Sequence, residues 1–259
     1  MSSPSSGEHA GKSVDGETQA QYAHRAIEEM IVTLALPPGS RISEQSLSTQ
    51  LGIGRTPVRE ALQRLAYEHT IRILPRSGAV VSEIDIAEHF KLIEVRRELE
   101  RIMAARAARL VDPISRRMFL DLQTRFELAE RTSDAAVFIA ADREYNLLLA
   151  KTADNDYAAA AMAPLQAQTR RLWYLYFTAF GDVANVARLH ANIARAVADK
   201  DEKKACEASD ALIDYVEDYT YRTLEAVQKK EVRPKAGRGA AGRLNRRPGG
   251  DRKETVNKR

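Results

Sequence analysis

IGRTPVREALQRLAYEHTIRILPRSGAVV, residues 53–81, decides how this 259-residue chain is read. Pro57 suits a first helical turn, where its missing N–H breaks no bond. Behind it Val58, Ala61, Leu62 and Leu65 follow the i, i+3, i+4, i+7 spacing of a helix with one face in a core. Thr56, Arg59 and Gln63 share the opposite face, Arg64 lies toward its edge, and Arg55 stands at the entrance. Such groups bond phosphates and the edges of bases in a major groove. Two short strands near 71–74 and 79–82 then meet through Pro75-Arg76-Ser77-Gly78.

Working outward toward the N-terminus, residues 18–34 have helical periodicity and stop at Pro37-Pro38-Gly39. Ser43 can cap a second helix, with Glu44 in its favourable first turn. Leu47 and Leu51 supply its buried stripe, and Gly52 the left-handed residue that turns the chain. Helix, helix, turn, helix and a two-stranded wing make a winged helix-turn-helix over residues 18–84. Residues 1–17 are rich in Ser and Gly and read as disordered.

Toward the C-terminus the periodicity is helical almost to Val227, with helices expected near 86–110, 113–131, 135–152, 156–180, 184–199 and 202–228. Asp112-Pro113 and Ser133-Asp134 are start signals. No strand-like alternation and no repeat intervenes, so residues 85–228 are expected to form an all-α antiparallel helical bundle. The fold class is therefore mainly α, a winged helix-turn-helix followed by that bundle. A basic tail, 229–259, is expected to be disordered.

The net charge of +4 is uneven. The tail holds twelve Lys/Arg against three acids, while the remaining 228 residues carry 28 basic and 33 acidic groups. A uniformly basic coat for nucleic acid is excluded. Five arginines (55, 59, 64, 72, 76) nevertheless crowd into residues 54–76 against Glu60 and Glu68. The tail reads as a solubilising segment or as a salt-sensitive grip on DNA phosphates. A single Cys206 excludes an internal disulfide and fits a reducing cytoplasm. No run of about 18 apolar residues exists to cross a bilayer, and residues 1–17 lack the apolar region of a secretory signal.

Polar residues interrupt the apolar stripes of three bundle helices. Arg96 falls among Ile93, Leu99 and Met103; Asp142 among Phe138, Tyr145 and Leu149; His190 among Val186, Ile193 and Val197. A buried charge needs a partner, so the three together suggest a polar cavity. Each also has a local reading: Arg96 with Glu100, Asp142 with Arg143 or Lys151, His190 as a satisfied core histidine. Arg170, Arg171, Trp173 and Tyr176 on the long helix either close that cavity or form an exposed or dimer-packing face.

Leu-Pro-Pro-Gly-Ser-Arg-Ile-Ser-Glu (36–44), followed by Arg-Thr-Pro-Val-Arg-Glu-Ala-Leu (55–62), resembles the GntR superfamily of bacterial transcription regulators. Arg96-x-x-Leu99-Glu100 is similar to the opening of the helical ligand-binding (FCD-type) domain of its FadR-like branch. The likeness spans roughly residues 18–228. It implies that Arg55, Thr56 and Arg59 contact an operator in the major groove, with Gln63 and Arg64 beside them. Arg76 and Gly78 of the wing then lie at or near the minor groove. Two departures stand out: Gly54 replaces a capping Ser, and His69-Thr70 replaces Gly-Leu after the recognition helix. If His69 is left-handed, the turn costs about 1 kcal/mol.

Many members of that branch hold a divalent metal through an Asp-x-x-x-His pair and two later histidines. The matching positions here are Asp142, Asn146, His190 and Leu212. Two imidazoles are missing, which leaves at most a weakly bound divalent metal. The other expectation is direct binding of a small organic acid, with Arg96 and His190 on its carboxylate and Asn146 on its hydroxyl or carbonyl.

The leading reading is a homodimeric repressor that binds a double-stranded DNA operator, answers to a small carboxylate effector, and has no membrane partner. The alternative is an architectural or constitutive DNA-binding protein with a non-functional pocket. An enzyme is disfavoured, since no His-Glu-x-x-His, Gly-x-Ser-x-Gly or phosphate loop occurs and Pro57 spoils Gly52-Ile53-Gly54 as a dinucleotide fingerprint.

Overall fold

Thr18 starts the first helix with a reciprocal cap: its hydroxyl accepts from Gln21 N, while the Gln21 side chain accepts from Thr18 N. The computed structural model describes residues 16–75 and 78–229, except the side chains of 178–180. The expectations for the tail beyond Lys229, for residues 1–15 and for Arg76 lie outside the described residues.

In the N-terminal part, α1 (Gln19–Val32) is followed by β1 (Arg41–Ile42), α2 (Glu44–Leu51), α3 (Arg55–Tyr67), β2 (Ile71–Leu74) and β3 (Gly78–Val81). Ser43 caps α2 and Gly52 ends it at φ 67°. Gly54 caps α3 without any side-chain bond. The apolar stripe of α3 packs with Ile27 and Ile31 of α1, Leu47 of α2, and Ile71, Ala79 and Val81 of the sheet. His69 is left-handed (φ 59°), which fits its place as a turn residue between α3 and β2.

The wing is larger than expected. It has three antiparallel strands in the order β1-β3-β2, with Ile42 opposite Ala79 and Leu74 opposite Gly78. The third, β1, is two residues long, too short to show any alternation of its own. Gly78 adopts φ 82°, and a Cβ there would collide with the Ile42 carbonyl oxygen. The strand crossing itself therefore requires glycine at this position.

From Ile86 onward only helices follow among the described residues: α4 (Ile86–Leu110), α5 (Pro113–Thr132), α6 (Ala135–Ala153), α7 (Asp156–Phe180), α8 (Val183–Ala198) and α9 (Glu202–Gln228). Each starts on an Asp or Asn whose carboxylate or amide oxygen accepts from backbone N–H groups of the first turn: Asp85, Asp112, Asp134, Asn155, Asp182 and Asp201. α5 and α9 both pack against α8, and α4 lies along α9. Phe119, Phe126, Tyr145, Ile193 and Ile213 are fully buried at the centre.

The two parts meet through α7. Leu34 from the end of α1 joins Ile86, Leu172, Leu175, Tyr176 and Tyr219 in a separate apolar cluster. Arg171, with no exposed surface, donates from Nη2 to the Ser82 carbonyl (2.6 Å) and from Nη1 to Gln168 Oε1 (2.9 Å). Burial lowers its guanidinium pKa to about 10. Gln168 reaches the Glu68 carbonyl and Thr70 Oγ1, both at 3.4 Å. Arg171 and Tyr176 thus close no cavity and lie on no exposed face; both are buried where the bundle meets the wing and α1.

Candidate functional site

The outer face of α3 presents Arg55, Thr56, Arg59, Gln63 and Arg64, all exposed, because its inner stripe is taken by the core. Tyr67, at the end of the same helix, is 87% exposed. Arg59 is held by neither Glu60 nor Gln63. It reaches across to α2 and forms a two-pronged pair with Glu44, with Nη2 2.9 Å from Oε2 and Nε 3.1 Å from Oε1. That pair lowers the Glu44 carboxyl pKa and raises that of Arg59. Arg64 bonds Glu68 one turn on, at 2.9 Å. Arg72 and Ile73 extend the exposed surface along β2.

Inside the bundle a cavity of about 70 Å³ is lined by Arg96, Asp142, His190 and Leu212, with Phe138, Arg170 and Trp173 among its walls. Three of the four residues expected there do converge. His190 Nδ1 lies 2.8 Å from the Val186 carbonyl, which can only accept, so that nitrogen carries a hydrogen. Its Nε2 faces Asp142 Oδ1 at 3.3 Å. Burial would raise the Asp142 carboxyl, yet His190, Arg170 and Arg96 together bring it below the usual range. Neither Arg143 nor Lys151 pairs with Asp142; its charged partners are His190 and, at 3.9 Å, Arg170.

Arg96 is engaged as its local reading anticipated. It bonds Glu100 Oε1 through Nε (3.2 Å) and Nη2 (2.9 Å), and both side chains are buried. Among the described residues Nη1 has no hydrogen-bond acceptor. Asn146 sits beside the cavity rather than in its lining. Its amide donates to Asp142 Oδ1 (3.1 Å), accepts from Gln166 (2.9 Å), and lines an outer groove.

This donor set does not fit a tightly held divalent ion. One carboxylate and one imidazole face each other, the Asn146 oxygen is occupied by Gln166, and Leu212 supplies only methyl groups. The room and charge suit a small polar molecule better. A water needs about 10–15 Å³ of such space, so a few non-hydrogen atoms fit.

Arg170 is the residue that reasoning from the sequence placed only loosely. Its Nε lies 3.9 Å from Asp142 in the cavity, and its Nη2 lies 3.4 Å from Glu29 on α1. One guanidinium therefore touches both the cavity and the winged part. The signal in the sequence was only an arginine on a long apolar helix.

Comparison with known proteins agrees with this layout. Residues 19–81 match the model described as bacterial regulatory proteins, gntR family, and residues 91–215 match the FCD domain. An HTH-type transcriptional regulator in the TAR-I ttuE-ttuC' intergenic region of Agrobacterium vitis is 32% identical over 142 residues, 54% of this chain and 83% of the relative. The HTH-type transcriptional repressor RspR of Escherichia coli is 26% identical over 181 residues, 70% of this chain and 79% of RspR. Among solved structures, E. coli McbR/YncC superposes with a TM-score of 0.70 at 19% identity, over 80% of this chain and 99% of that one.

Proposed function

We propose that this chain, which belongs to the gntR family of bacterial regulatory proteins and carries an FCD domain, is a homodimeric repressor released from its operator by a small carboxylate. Like its relatives, it is a transcription regulator and not an enzyme. Arg55, Thr56, Arg59, Gln63 and Arg64 read and grip the major groove, and the wing lies along the neighbouring minor groove. A two-fold operator requires two copies whose recognition helices lie about one DNA turn apart. The repressor sense is supported by RspR, which is named a repressor.

The observation that carries the effector reading is the position of Arg170, between Asp142 in the cavity and Glu29 on α1. A carboxylate held by Arg96 Nη1 and His190 draws on the same charges, and Arg170 must then redistribute between its two acids. Any ligand that binds the two arrangements unequally shifts the winged part; such couplings are typically about 1–3 kcal/mol. A thermal-shift screen of two- to four-carbon carboxylic acids, run with and without chelator, tests this. A hit that raises Tm, persists in chelator and weakens operator binding is expected. If chelator alone destabilises the protein and no acid shifts it, direct acid binding is wrong.

A further inference from the structure

We propose that His24, Glu28 and Glu68 form a binding site for a divalent transition-metal ion, with zinc as the reference case, where α1 meets the end of α3. The site is separate from the bundle cavity and independent of the effector reading.

His24 and Glu28 stand one turn apart on the same face of α1. Packing of α1 on α3 brings in Glu68, the residue that caps the end of α3. One ligand atom from each of the three lies within 4.8 Å of the others. His24 Nε2 is 2.7 Å from Glu68 Oε2, and both side chains are largely withdrawn from solvent. Glu28 makes no hydrogen bond or ion pair among the described residues, although it is half-buried beside another carboxylate. A partly desolvated carboxylate without a partner is costly unless a cation joins it.

An imidazole and two carboxylates are a donor set that zinc accepts with one position left to water. Metal–ligand distances of about 2.0–2.2 Å place the donor atoms roughly 3.3 Å apart. His24 and Glu68 must therefore open slightly and Glu28 must swing inward, both by side-chain rotation. Arg64 does not block this, because it holds the other Glu68 oxygen, Oε1. Arg170 also faces the cluster, but the acids within its reach are Glu29 and Asp142. Glu28 lines a groove of about 240 Å³ that continues along α6 and α7, which gives an ion a way in. The ion would then tie α1 to the residue whose carbonyl receives Gln168 from the bundle.

The test uses the untagged full chain stripped with chelator. Cobalt is followed by its visible absorption and zinc by equilibrium dialysis. Wild type, His24→Gln, Glu28→Gln and Asp142→Asn are compared, each checked for folding by circular dichroism. The expected result is about one ion per chain, weakened by roughly tenfold or more in His24→Gln and Glu28→Gln and unchanged in Asp142→Asn. Glu28→Gln breaks no bond of the fold, so it keeps the test valid if His24→Gln unfolds. Equal affinity in Glu28→Gln, loss confined to Asp142→Asn, or no ion bound by folded protein at micromolar metal would overturn the site.

Discussion

Two arginine–glutamate pairs of the same length occupy opposite environments in this molecule. Arg59–Glu44 on the outer face and Arg96–Glu100 in the bundle both close at 2.9 Å. The first pair keeps 60% and 31% of its side-chain surface in solvent, the second 9% and 3%. In water such a pair is weak and easily exchanged. In the interior neither charge can be abandoned without leaving the other uncompensated. The outer arginine is thus ready to trade a carboxylate for a phosphate or a base edge. The inner one accepts a new partner only if that partner satisfies it at least as well. On the proposed function, recognition and sensing would use the same chemistry, separated by access to water.

The comparison breaks most readily at Glu100. Glu100→Ala should destabilise the protein by about 3–5 kcal/mol, the usual consequence of orphaning one member of a buried pair. Chemical denaturation at neutral pH measures it. An unchanged midpoint would mean that Arg96 is already solvated through the cavity, and the contrast between the two pairs would vanish.

A second test concerns the acid sensitivity of the same interior. His89 is buried on α4, its Nε2 has no hydrogen-bond partner among the described residues, and burial together with the Arg96 charge lowers its pKa to about 4. The unfolded chain binds this proton near pH 6.5, and the folded chain only near pH 4. Stability is therefore whole above pH 6.5 and falls as the pH drops toward 4, by about 3 kcal/mol from this group. His89→Leu should flatten the stability profile across that window in denaturant melts. A profile as steep as wild type would show that His89 takes up its proton inside the fold.

Much of the architecture follows from local signals. The stripe Val58, Ala61, Leu62 and Leu65 dictates which face of α3 is free, and Asp112, Asp134 and Pro113 mark where helices begin. What stayed hidden depends on residues far apart in the chain. Two residues cannot announce β1 before β3 is there to pair with it. Arg59 found Glu44, fifteen positions away on another helix, because α2 crosses α3, not because of helical spacing. In the bundle, Arg96, Asp142 and His190 were legible as polar interruptions of apolar stripes. Which of their neighbours face the cavity depends on how five helices are rotated against each other. Asn146 fell outside the lining and Arg170 within it for that reason.

The finest test sets Arg59→Ala beside Glu44→Ala. Removing Arg59 should weaken operator binding roughly ten- to hundredfold at fixed salt, the range of one good base or bidentate contact. Removing Glu44 should leave the denaturation midpoint almost unmoved, because the pair it breaks is solvated. Its effect on DNA carries the discrimination. If Arg59 must leave Glu44 to reach the groove, Glu44→Ala binds operator as well as wild type or better. If instead Glu44 holds the guanidinium at the angle the base edge needs, Glu44→Ala weakens binding nearly as much as Arg59→Ala. The first outcome makes the outer pair a resting position. The second makes it part of the reading surface, and the exposed pair would then be no freer to exchange partners than the buried one.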